Sequence, residues 1–276
     1  MRANHVKRRL KAGEPSVGTW LALPSPEAVE YVSRLGFDWL TVDAEHNAVD
    51  IRTLAQMFMA MSASPTAPMV RIPWNSPEII KRVLDAGAWG IVVPNVRSRA
   101  EAEAAVEASR YYPVGARGVG GGRHVLSFDT TAQEYYRHAN DETLLVLMIE
   151  HIDGVEHADE ILSVPGVDAC FIGPNDLGSS MGLGLGLPLE GDNPRIVEAI
   201  AHVRDTCKKH GVAPGIHCSG AAAVNRRIQE GFQYCAMASE LRYLLSGLRE
   251  DIAKLEWQPA GAQTIETAGQ GQMVRY

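Results

Sequence analysis

The 276-residue chain is 46% hydrophobic and 21% charged, an ordinary globular composition that is long enough for one or two domains with a sizeable core. Acidic residues outnumber basic ones by 33 to 26, and the resulting formal charge of -7 argues against nucleic acid as the main partner. No apolar run approaches the roughly 20 residues needed to span a bilayer, so no membrane partner is expected.

The cysteines and the N-terminal segment indicate the cellular compartment in which the protein is expected. The four cysteines are widely spaced without a Cys-x-x-Cys pair, so neither a zinc knuckle nor a dithiol redox site is expected. Cys170 and Cys218 fall in apolar runs, where buried free thiols are expected. The basic segment Met1–Leu10 has no apolar core behind it, so it does not read as a signal peptide. Together these features predict a cytoplasmic protein.

Short apolar runs alternate with amphipathic stretches along the chain. Most runs are nearly continuous in hydrophobic residues, as expected for parallel strands that are buried on both faces. The predicted strands are Ser16–Leu23, Phe37–Asp43, Pro68–Pro73, Gly90–Val96, Thr143–Glu150, Val167–Asp176, Ala213–Cys218 and Tyr234–Glu240. The predicted helices are Pro26–Leu35, Ile51–Met61, Pro77–Ala86, Ala100–Arg110, Pro194–His210, Ala221–Glu230 and Leu241–Leu255, with a short one near Thr131–His138.

Eight strands with helices between them favour an α/β fold, specifically a (β/α)8 TIM barrel over residues 1–256. A doubly wound open sheet is the structural alternative. The glycine-rich and leucine-rich segment Gly178–Pro188 is predicted to cover the exit of the sixth strand. Residues 257–276 are polar and rich in glycine, and we expect them to form a tail outside the barrel.

Two carboxylates stand where predicted buried strands emerge into loops. Glu150 closes the fifth strand and Asp176 closes the sixth. Strands that deliver carboxylates to the same end of a sheet can hold one hard divalent cation between them and leave coordination positions for substrate. Taken alone, each carboxylate could instead cap the helix that follows it.

Other polar residues follow the carboxyl ends of predicted strands, the face on which such barrels build active sites. Asp43, Glu45 and His46 follow the second strand, Arg71 ends the third, and His217 ends the seventh. A guanidinium at the end of a buried strand needs an anionic partner, either a substrate carboxylate or enolate, or a structural bridge to a carboxylate such as Glu45. Asp43 and Glu45 could also be helix caps, and His46 could be an ordinary loop histidine.

Two kinds of site are disfavoured. A Schiff-base aldolase needs a buried lysine in the barrel, and no lysine ends a predicted strand. The complete inventory is Lys7, Lys11, Lys81, Lys208, Lys209 and Lys254. The glycine run at 118–122 is not followed by Lys-Ser or Lys-Thr and does not open directly from a strand, so a P-loop is not expected.

Several motifs, in the same order along residues 13 to 255, resemble the 4-hydroxy-2-oxoheptanedioate aldolase family, a group of metal-dependent pyruvate aldolases related to the citrate lyase β-subunit and macrophomate synthase. The motifs are Gly18–Trp20, Gly36–His46 (GFDWLTVDAEH), Val70–Pro73, Asp85–Ala88, Ile149–Glu150 and Phe171–Leu177 (FIGPNDL). The resemblance implies a barrel of the phosphoenolpyruvate/pyruvate type and a homohexamer, a trimer of dimers that exchange the last helix. It also implies a role in the breakdown of aromatic compounds.

The resemblance further implies a role for individual residues. Glu150 and Asp176 would bind Mg²⁺, Mn²⁺ or Co²⁺, and Arg71 would bind the pyruvyl oxygens and stabilise the enolate. His46 would be the acid/base group, acting through a water, and Asp85 its carboxylate partner from an adjacent subunit. The substrate-binding residues would be Trp20, Asp43, Arg71, Gly173, Pro174, Asn175 and His217, with the segment Gly173–Asn175 holding the substrate carboxylate.

The sequence departs from this family at three places: Met148 stands where glutamine is expected, His217 replaces an aliphatic residue, and the loop Gly120–Phe128 is different. These positions are expected to line the side of the site that receives the aldehyde. The predicted activity is therefore cleavage or formation of a 4-hydroxy-2-oxoacid from a small 2-oxoacid, pyruvate or hydroxypyruvate, and an aldehyde.

Two alternatives stay open. A lyase or decarboxylase that acts on oxaloacetate or on a thioester would use the same enolate, and a coenzyme A thioester would need a basic channel such as Arg97, Arg99, Arg117 and Arg123 could supply. The other alternative is a non-catalytic barrel that binds carboxylates.

Overall fold

The structure is a computed structural model that describes residues 1–257 of the chain. Within these residues, eight parallel strands close into a barrel in which each strand pairs with the next and β1 pairs with β8. This confirms the predicted α/β barrel and excludes the open sheet. The strands are β1 (Ser16–Leu21), β2 (Trp39–Asp43), β3 (Ala67–Arg71), β4 (Gly90–Val93), β5 (Leu144–Ile149), β6 (Ala169–Ile172), β7 (Ala213–Cys218) and β8 (Tyr234–Ser239).

Thirteen helices occur within the described residues. Most of them surround the barrel, and α1 precedes the first strand. The helices are α1 (His5–Lys11), α2 (Pro26–Val32), α3 (Ile51–Met61), α4 (Pro77–Asp85), α5 (Arg99–Ser109), α6 (Arg123–Ser127), α7 (Ala132–Glu142), α8 (Ile152–Glu156), α9 (Ala158–Leu162), α10 (Pro174–Ser180), α11 (Pro194–His210), α12 (Ala221–Gln229) and α13 (Glu240–Ile252). No helix in residues 1–257 is long and apolar enough to cross a membrane.

The predicted elements differ from the observed ones mainly at their ends. The predicted strand Val167–Asp176 stops at Ile172, because Pro174 occupies the first turn of α10, where its fixed φ and missing N–H are tolerated. Asp176 therefore lies in the first turn of a helix and not at the end of a strand. The short helices α1, α6, α8, α9 and α10 were not predicted, because five to seven residues are too few to show a helical period.

The interior of the barrel is filled by large aromatic side chains. Trp39 of β2 and Tyr234 of β8 are buried and stack with ring centroids 4.1 Å apart. Gly18 of β1 makes room for them, since a Cβ at this position would lie 2.1 Å from a Trp39 ring carbon. The filled layer leaves space for a site only towards the carboxyl ends of the strands.

The polar tail predicted at 257–276 lies outside the described residues except for Trp257, which is exposed.

Candidate active site

A cavity of about 780 Å³ opens at the carboxyl ends of the strands. All but one of the site residues predicted from the sequence line it. These residues are Trp20, Asp43, His46, Arg71, Glu150, Gly173, Pro174, Asn175, Asp176 and His217. The exception is Asp85.

Glu150 follows β5 directly and is buried at the floor of the cavity. Its Oε1 accepts a hydrogen bond of 2.8 Å from the backbone N–H of Asn95. Asn95 adopts a left-handed conformation with φ of 53°, a local strain of the kind that fixes functional groups. The Asn95 amide therefore orients one oxygen of the Glu150 carboxylate and leaves the other one for a ligand.

Burial raises the pKa of Glu150 to about 7, an effect that the charge of Arg71 opposes and that the charges of Asp176 and Glu45 reinforce. Asp176 thus lies close enough to Glu150 for their charges to interact, and both carboxylates face the same cavity. Glu150 is buried whereas Asp176 is exposed to the cavity, and a cation between two carboxylates that repel each other would stabilise their charged forms.

The donor atoms fit a hard divalent cation. Glu150 and Asp176 offer carboxylate oxygens, and Asn175 adds a buried side-chain oxygen, Oδ1, that has no donor within the described residues. A Cβ at Gly173 would lie 2.7 Å from Glu150 Oε2, so the glycine keeps the space beside this oxygen open. No group of three or more His, Cys, Asp or Glu side chains in residues 1–257 could hold a metal. An ion at this site would therefore depend on two carboxylates, on the side-chain oxygen of Asn175 and on oxygens from water or substrate.

Arg71 is held at the end of β3 by two carboxylates. Its Nε and Nη2 donate to the two oxygens of Asp43 at 2.8 and 2.7 Å, and its Nη1 lies 3.1 Å from Glu45 Oε2. Its guanidinium also lies over the ring of Trp20, 4.5 Å from the centroid. The structural bridge to a carboxylate considered from the sequence is therefore present. It fixes the guanidinium at the cavity wall, where Arg71 also lines the site.

Asp43 also organises the turn that follows β2. Its Oδ1 accepts the backbone N–H of Glu45 at 3.1 Å, and its Oδ2 accepts Asn47 Nδ2 at 2.7 Å. Asp43 thus stabilises this turn in addition to its contact with Arg71, whereas the following helix α3 is capped by Asp50, so the alternative of a helix cap is wrong for Asp43. Burial raises the pKa of Glu45, and the charge of Arg71 opposes this rise.

His46 and Asp85 are not brought together within one chain. The His46 side chain is 56% exposed at the cavity mouth, with Nε2 3.7 Å from Glu45 Oε2. Asp85 is the last residue of α4 and accepts a hydrogen bond of 2.8 Å from Arg117. The predicted pairing joins two different subunits, so it stays a prediction.

His217 and Trp20 together form part of the cavity wall. The His217 ring stacks on Trp20 with centroids 6.0 Å apart, and Phe171 packs edge-on against it at 6.4 Å. Burial, together with the charges of Arg71 and Arg242, lowers the pKa of His217 to about 4. The imidazole is therefore neutral near pH 7 and can donate one hydrogen bond and accept another.

Of the three departures from the family, Met148 and His217 line the cavity as predicted. Residues 120–128 do not line the cavity within the described part of the chain, and, as with Asp85, a place for them in the site of an adjacent subunit stays a prediction. The segment belongs instead to α6 and its approach, on the side of α4.

Sequence reasoning missed one wall of the site. The loop at 186–190 lines the cavity, in agreement with the predicted cover formed by the Gly-Leu segment, but Glu190 was not identified. Arg242 and Arg249 of α13 also line the cavity. Arg242 follows the end of β8 by three residues, and this position was a signal in the sequence, whereas Arg249 lies two helical turns further along α13 and had none.

Comparison with known proteins gives the family. The sequence matches the HpcH/HpaI aldolase/citrate lyase family over residues 16–246. The chain belongs to this family.

Individual relatives agree with this assignment. A 5-keto-4-deoxy-D-glucarate aldolase of Escherichia coli O139:H28 (strain E24377A / ETEC) is 37% identical over 239 residues, which cover 86% of this chain and 91% of the relative. The structure of an HpcH/HpaI aldolase from Desulfitobacterium hafniense DCB-2 is similar with a TM-score of 0.84 at 30% identity, covering 92% and 97% of the two chains. Macrophomate synthase shares the fold, with a TM-score of 0.80 at 22% identity over 96% and 90%. The resemblance predicted from the motifs is confirmed, and the protein is an enzyme of the aldolase and lyase class.

Proposed function

We propose that this HpcH/HpaI family member is a divalent-metal-dependent aldolase that cleaves or forms 4-hydroxy-2-oxoacids. The observation that carries the proposal is the shared cavity of Glu150, Asp176 and Arg71, which sets two hard oxygen donors beside a fixed guanidinium. The reaction would join pyruvate or hydroxypyruvate to an aldehyde through an enolate, or release them. The relative from Escherichia coli is named for a reaction on a keto-deoxy sugar acid, which supports this class of substrate.

Glu150 and Asp176 would hold Mg²⁺, Mn²⁺ or Co²⁺, all of which suit oxygen ligands. When bound, such a cation supplies Lewis acidity that polarises a 2-oxo group and increases the acidity of the neighbouring C–H bonds. The free oxygen of Glu150 and the open space beside Gly173 support this assignment.

The side chains and backbone of the protein would stabilise the enolate charge and bind the substrate carboxylate. Arg71 stabilises negative charge on the substrate oxygen, an effect on the order of 3 kcal/mol for one well-placed donor. Its orientation is already fixed by Asp43, so little reorganisation is needed during the reaction. Gly173 and Asn175 offer backbone N–H groups to the substrate carboxylate, and Pro174 between them sets the start of α10.

His46 would move the proton to or from the hydroxyl derived from the aldehyde, acting through a water. Proton transfer by a positioned side chain contributes roughly 10²- to 10⁴-fold in rate. Its exposed position at the cavity mouth supports a partner from outside the chain, and we propose Asp85 of an adjacent subunit. Trp20 and His217 would form the wall against which the aldehyde lies.

We further propose a homo-oligomer, a hexamer built as a trimer of dimers, located in the cytoplasm. The support for an oligomer is α13, which has no buried residue among its 13 positions within the described residues 1–257. A role in the breakdown of aromatic compounds stays a prediction, since the curated relative given above is named for a sugar acid.

The rival thioester reaction has less support. Arg117 is buried and paired with Asp85, and Arg99 is paired with Glu103 on the surface of α5, so these side chains are not free to form a phosphate-binding channel. Decarboxylation of oxaloacetate would use the same enolate. Comparing the turnover of oxaloacetate with that of aldol substrates distinguishes a decarboxylase from an aldolase.

The test measures pyruvate release from a 4-hydroxy-2-oxoacid with added Mg²⁺ or Mn²⁺ and again in excess EDTA. We expect activity to disappear in EDTA and in the double variant Glu150→Gln/Asp176→Asn. A matched double variant on the exposed face of α11, Glu198→Gln/Asp205→Asn, should stay active. Full activity in EDTA or in the first double variant refutes the proposal. Faster turnover of oxaloacetate than of every aldol tested favours the decarboxylase.

A further inference from the structure

The carboxylate of Asp85, which does not line the cavity of its own chain, is held by one of its two oxygens. Arg117 Nη2 donates to Asp85 Oδ1 at 2.8 Å, and no other hydrogen bond to this carboxylate occurs within residues 1–257. The Asp85 side chain is 20% exposed, whereas that of Arg117 is fully buried. A guanidinium inside the protein thus fixes Oδ1, and Oδ2 has no donor among these residues.

Arg117 is itself held in one orientation. Its Nη1 donates to Tyr135 Oη at 3.0 Å. Its guanidinium lies over the rings of Tyr111 and Tyr135, 4.6 and 5.8 Å from their centroids. A planar guanidinium can stack on aromatic faces while its N–H groups donate in the plane. These contacts therefore fix the direction from which Arg117 reaches Asp85.

Gly121 contacts Asp85 on the side of Oδ2. A Cβ at Gly121 would lie 2.9 Å from both Cβ and Cγ of Asp85 and 3.2 Å from Oδ2. The φ of Gly121 is 76°, a conformation that favours glycine. A Cβ at Gly120 or Gly122 would meet nothing within 4 Å, so the close approach is specific to Gly121. A side chain at Gly121 would displace the carboxylate.

His124 does not add a second cation beside Asp85. Its Nδ1 lies 3.9 Å from Asp85 Oδ1, and its side chain is fully buried. Burial and the charge of Arg117 lower the pKa of His124, so its imidazole is neutral near pH 7. Arg117 is therefore the one cation in contact with the Asp85 carboxylate among residues 1–257.

The buried pair of Arg110 and Asp168 shows how a structural ion pair of this chain differs. Asp168 Oδ2 lies 3.1 Å from Arg110 Nη2 and 3.0 Å from Lys7 Nζ, and it also accepts the backbone N–H of Leu145 at 2.9 Å. Asp168 thus joins three parts of the fold. Asp85 has a single partner and a more exposed side chain, so tying elements together does not account for its arrangement.

We propose that Arg117 is a positioning residue for the acid/base step, because it holds Asp85 with Oδ2 directed to His46 of an adjacent subunit. This inference rests on the proposed function, in which Asp85 pairs with that histidine, and it adds the support behind the carboxylate. With Oδ1 fixed, Oδ2 accepts the imidazole N–H and holds the ring in one tautomer. Gly121 keeps the space that this orientation needs. Arg117 acts through Asp85 and touches no reacting atom.

The test is a double-mutant cycle on kcat for pyruvate release from a 4-hydroxy-2-oxoacid with Mn²⁺ added. Asp85→Asn should lower kcat at least about 10²-fold, as expected for a positioned proton-transfer group. Arg117→Gln should lower kcat roughly 10- to 100-fold with a smaller change in KM, and Arg117→Lys should recover part of the loss. The double variant should be no more than about threefold slower than Asp85→Asn, because Arg117 acts only through Asp85.

Matched variants separate positioning from damage to the fold. Arg110→Lys alters another buried arginine–aspartate pair and should lower the stability to urea while kcat stays at the wild-type value. Gly121→Ala leaves the ion-pair residues in place and should lower kcat roughly tenfold. Gly13→Ala should leave kcat unchanged, because Gly13 has a similar φ of 77° but a Cβ there meets nothing within 4 Å. Circular dichroism and light scattering identify the variants that are folded and assembled as in the wild type.

The outcomes distinguish this inference from the proposed function. If the wild-type protein releases no pyruvate from any aldol, the proposed function fails. If Asp85→Asn keeps the wild-type kcat, the pairing with His46 fails, and the role of Arg117 fails with it. If Asp85→Asn is slow but the loss from Arg117→Gln multiplies with it in the double variant, only the role of Arg117 fails. If Arg117→Gln does not fold, Arg117→Lys in the same cycle and Gly121→Ala decide, and wild-type kcat in both overturns the inference.

Discussion

At the scale of single residues, Gly173 shows how one missing side chain keeps a binding position open. Its φ of -97° is accessible to alanine, so a substitution would not strain the backbone. The added Cβ would instead lie 2.7 Å from Glu150 Oε2 and force that oxygen away. We therefore expect Gly173→Ala to weaken Mn²⁺ binding at least about tenfold while the barrel stays folded, because the displaced group is one of the two carboxylates proposed as ligands.

Isothermal titration with Mn²⁺ and circular dichroism would measure the two effects of Gly173→Ala separately. Gly120→Ala is the matched control, since a Cβ there meets nothing within 4 Å. Unchanged Mn²⁺ affinity in Gly173→Ala would mean that Glu150 Oε2 is not a ligand.

Arg71 is the second residue whose geometry leads to a prediction. Its planar fork satisfies both oxygens of Asp43 and reaches Glu45, and a lysine ammonium cannot reproduce these three contacts. Arg71→Lys should lower kcat about 10²-fold and destabilise the protein by about 1–3 kcal/mol, because buried carboxylates lose partners. Steady-state kinetics and urea unfolding measure the two effects.

The control for Arg71→Lys is Arg99→Lys, which alters an exposed pair with Glu103 and should change stability by less than about 0.5 kcal/mol. Wild-type kcat in Arg71→Lys would remove the arginine from the proposed mechanism.

The residues of the site differ in how far the sequence could predict them. Glu150 and His217 could be placed from the sequence because the carboxyl ends of all the parallel strands lie on the same face of the barrel. Arg242 could not, since its place depends on the direction in which α13 leaves β8, and that direction is set by packing and not by periodicity. Asp176 was placed in the right cavity but in the wrong element, because a proline after a short strand can end the strand or start a helix.

At the scale of elements, α1 is held against the barrel by a buried ion pair. Lys7 Nζ donates to Thr143 O at 2.7 Å and lies 3.0 Å from Asp168 Oδ2, which also binds Arg110 at 3.1 Å. Burial lowers the pKa of Lys7 to about 8, although the charge of Asp168 opposes this shift. A basic N-terminal segment with no evident role in the sequence thus takes part in a buried network.

The lowered pKa of Lys7 gives the stability a defined pH dependence. The folded protein binds the Lys7 proton less tightly than the unfolded chain, whose lysine keeps its ordinary pKa of 10.5. The unfolded state therefore holds more protons between pH 8 and 10.5, so the contribution of Lys7 to the free energy of unfolding rises with pH in this window. Between pH 7.5 and pH 10 this contribution should rise by about 2 kcal/mol.

Urea unfolding of the wild-type protein and of Lys7→Met at both pH values would measure this rise as a change in their stability difference. Lys11→Met, an exposed position on the same helix, should show no such change. A stability difference for Lys7→Met that is independent of pH would contradict the lowered pKa.

At the scale of the whole molecule, α13 carries apolar side chains that the rest of residues 1–257 leaves exposed. Leu244, Leu248 and Ile252 are 49, 53 and 37% exposed and recur every four residues along one face of the helix. The periodicity of this segment predicted a helix correctly, but it could not show that the apolar face of the helix is left exposed by the rest of the described chain. Contiguous exposed apolar surface of this kind marks a contact with another protein surface.

We expect the 30.0 kDa chain to assemble through α13, and the double variant Leu244→Asp/Leu248→Asp to lower its mass in solution. Buried carboxylates at a former apolar contact carry a desolvation cost that the assembly cannot offset. The rate of aldol cleavage should fall together with the mass in solution, because His46 of each subunit would lose the proposed partner Asp85 of its neighbour. Size-exclusion chromatography with light scattering, run beside the cleavage assay, measures both quantities. Leu35→Asp, which changes a 72% exposed leucine that follows α2, is the control and should leave both the mass and the activity unchanged.

A wild-type protein that is fully active as a 30.0 kDa monomer would contradict both the assembly and the shared acid/base pair.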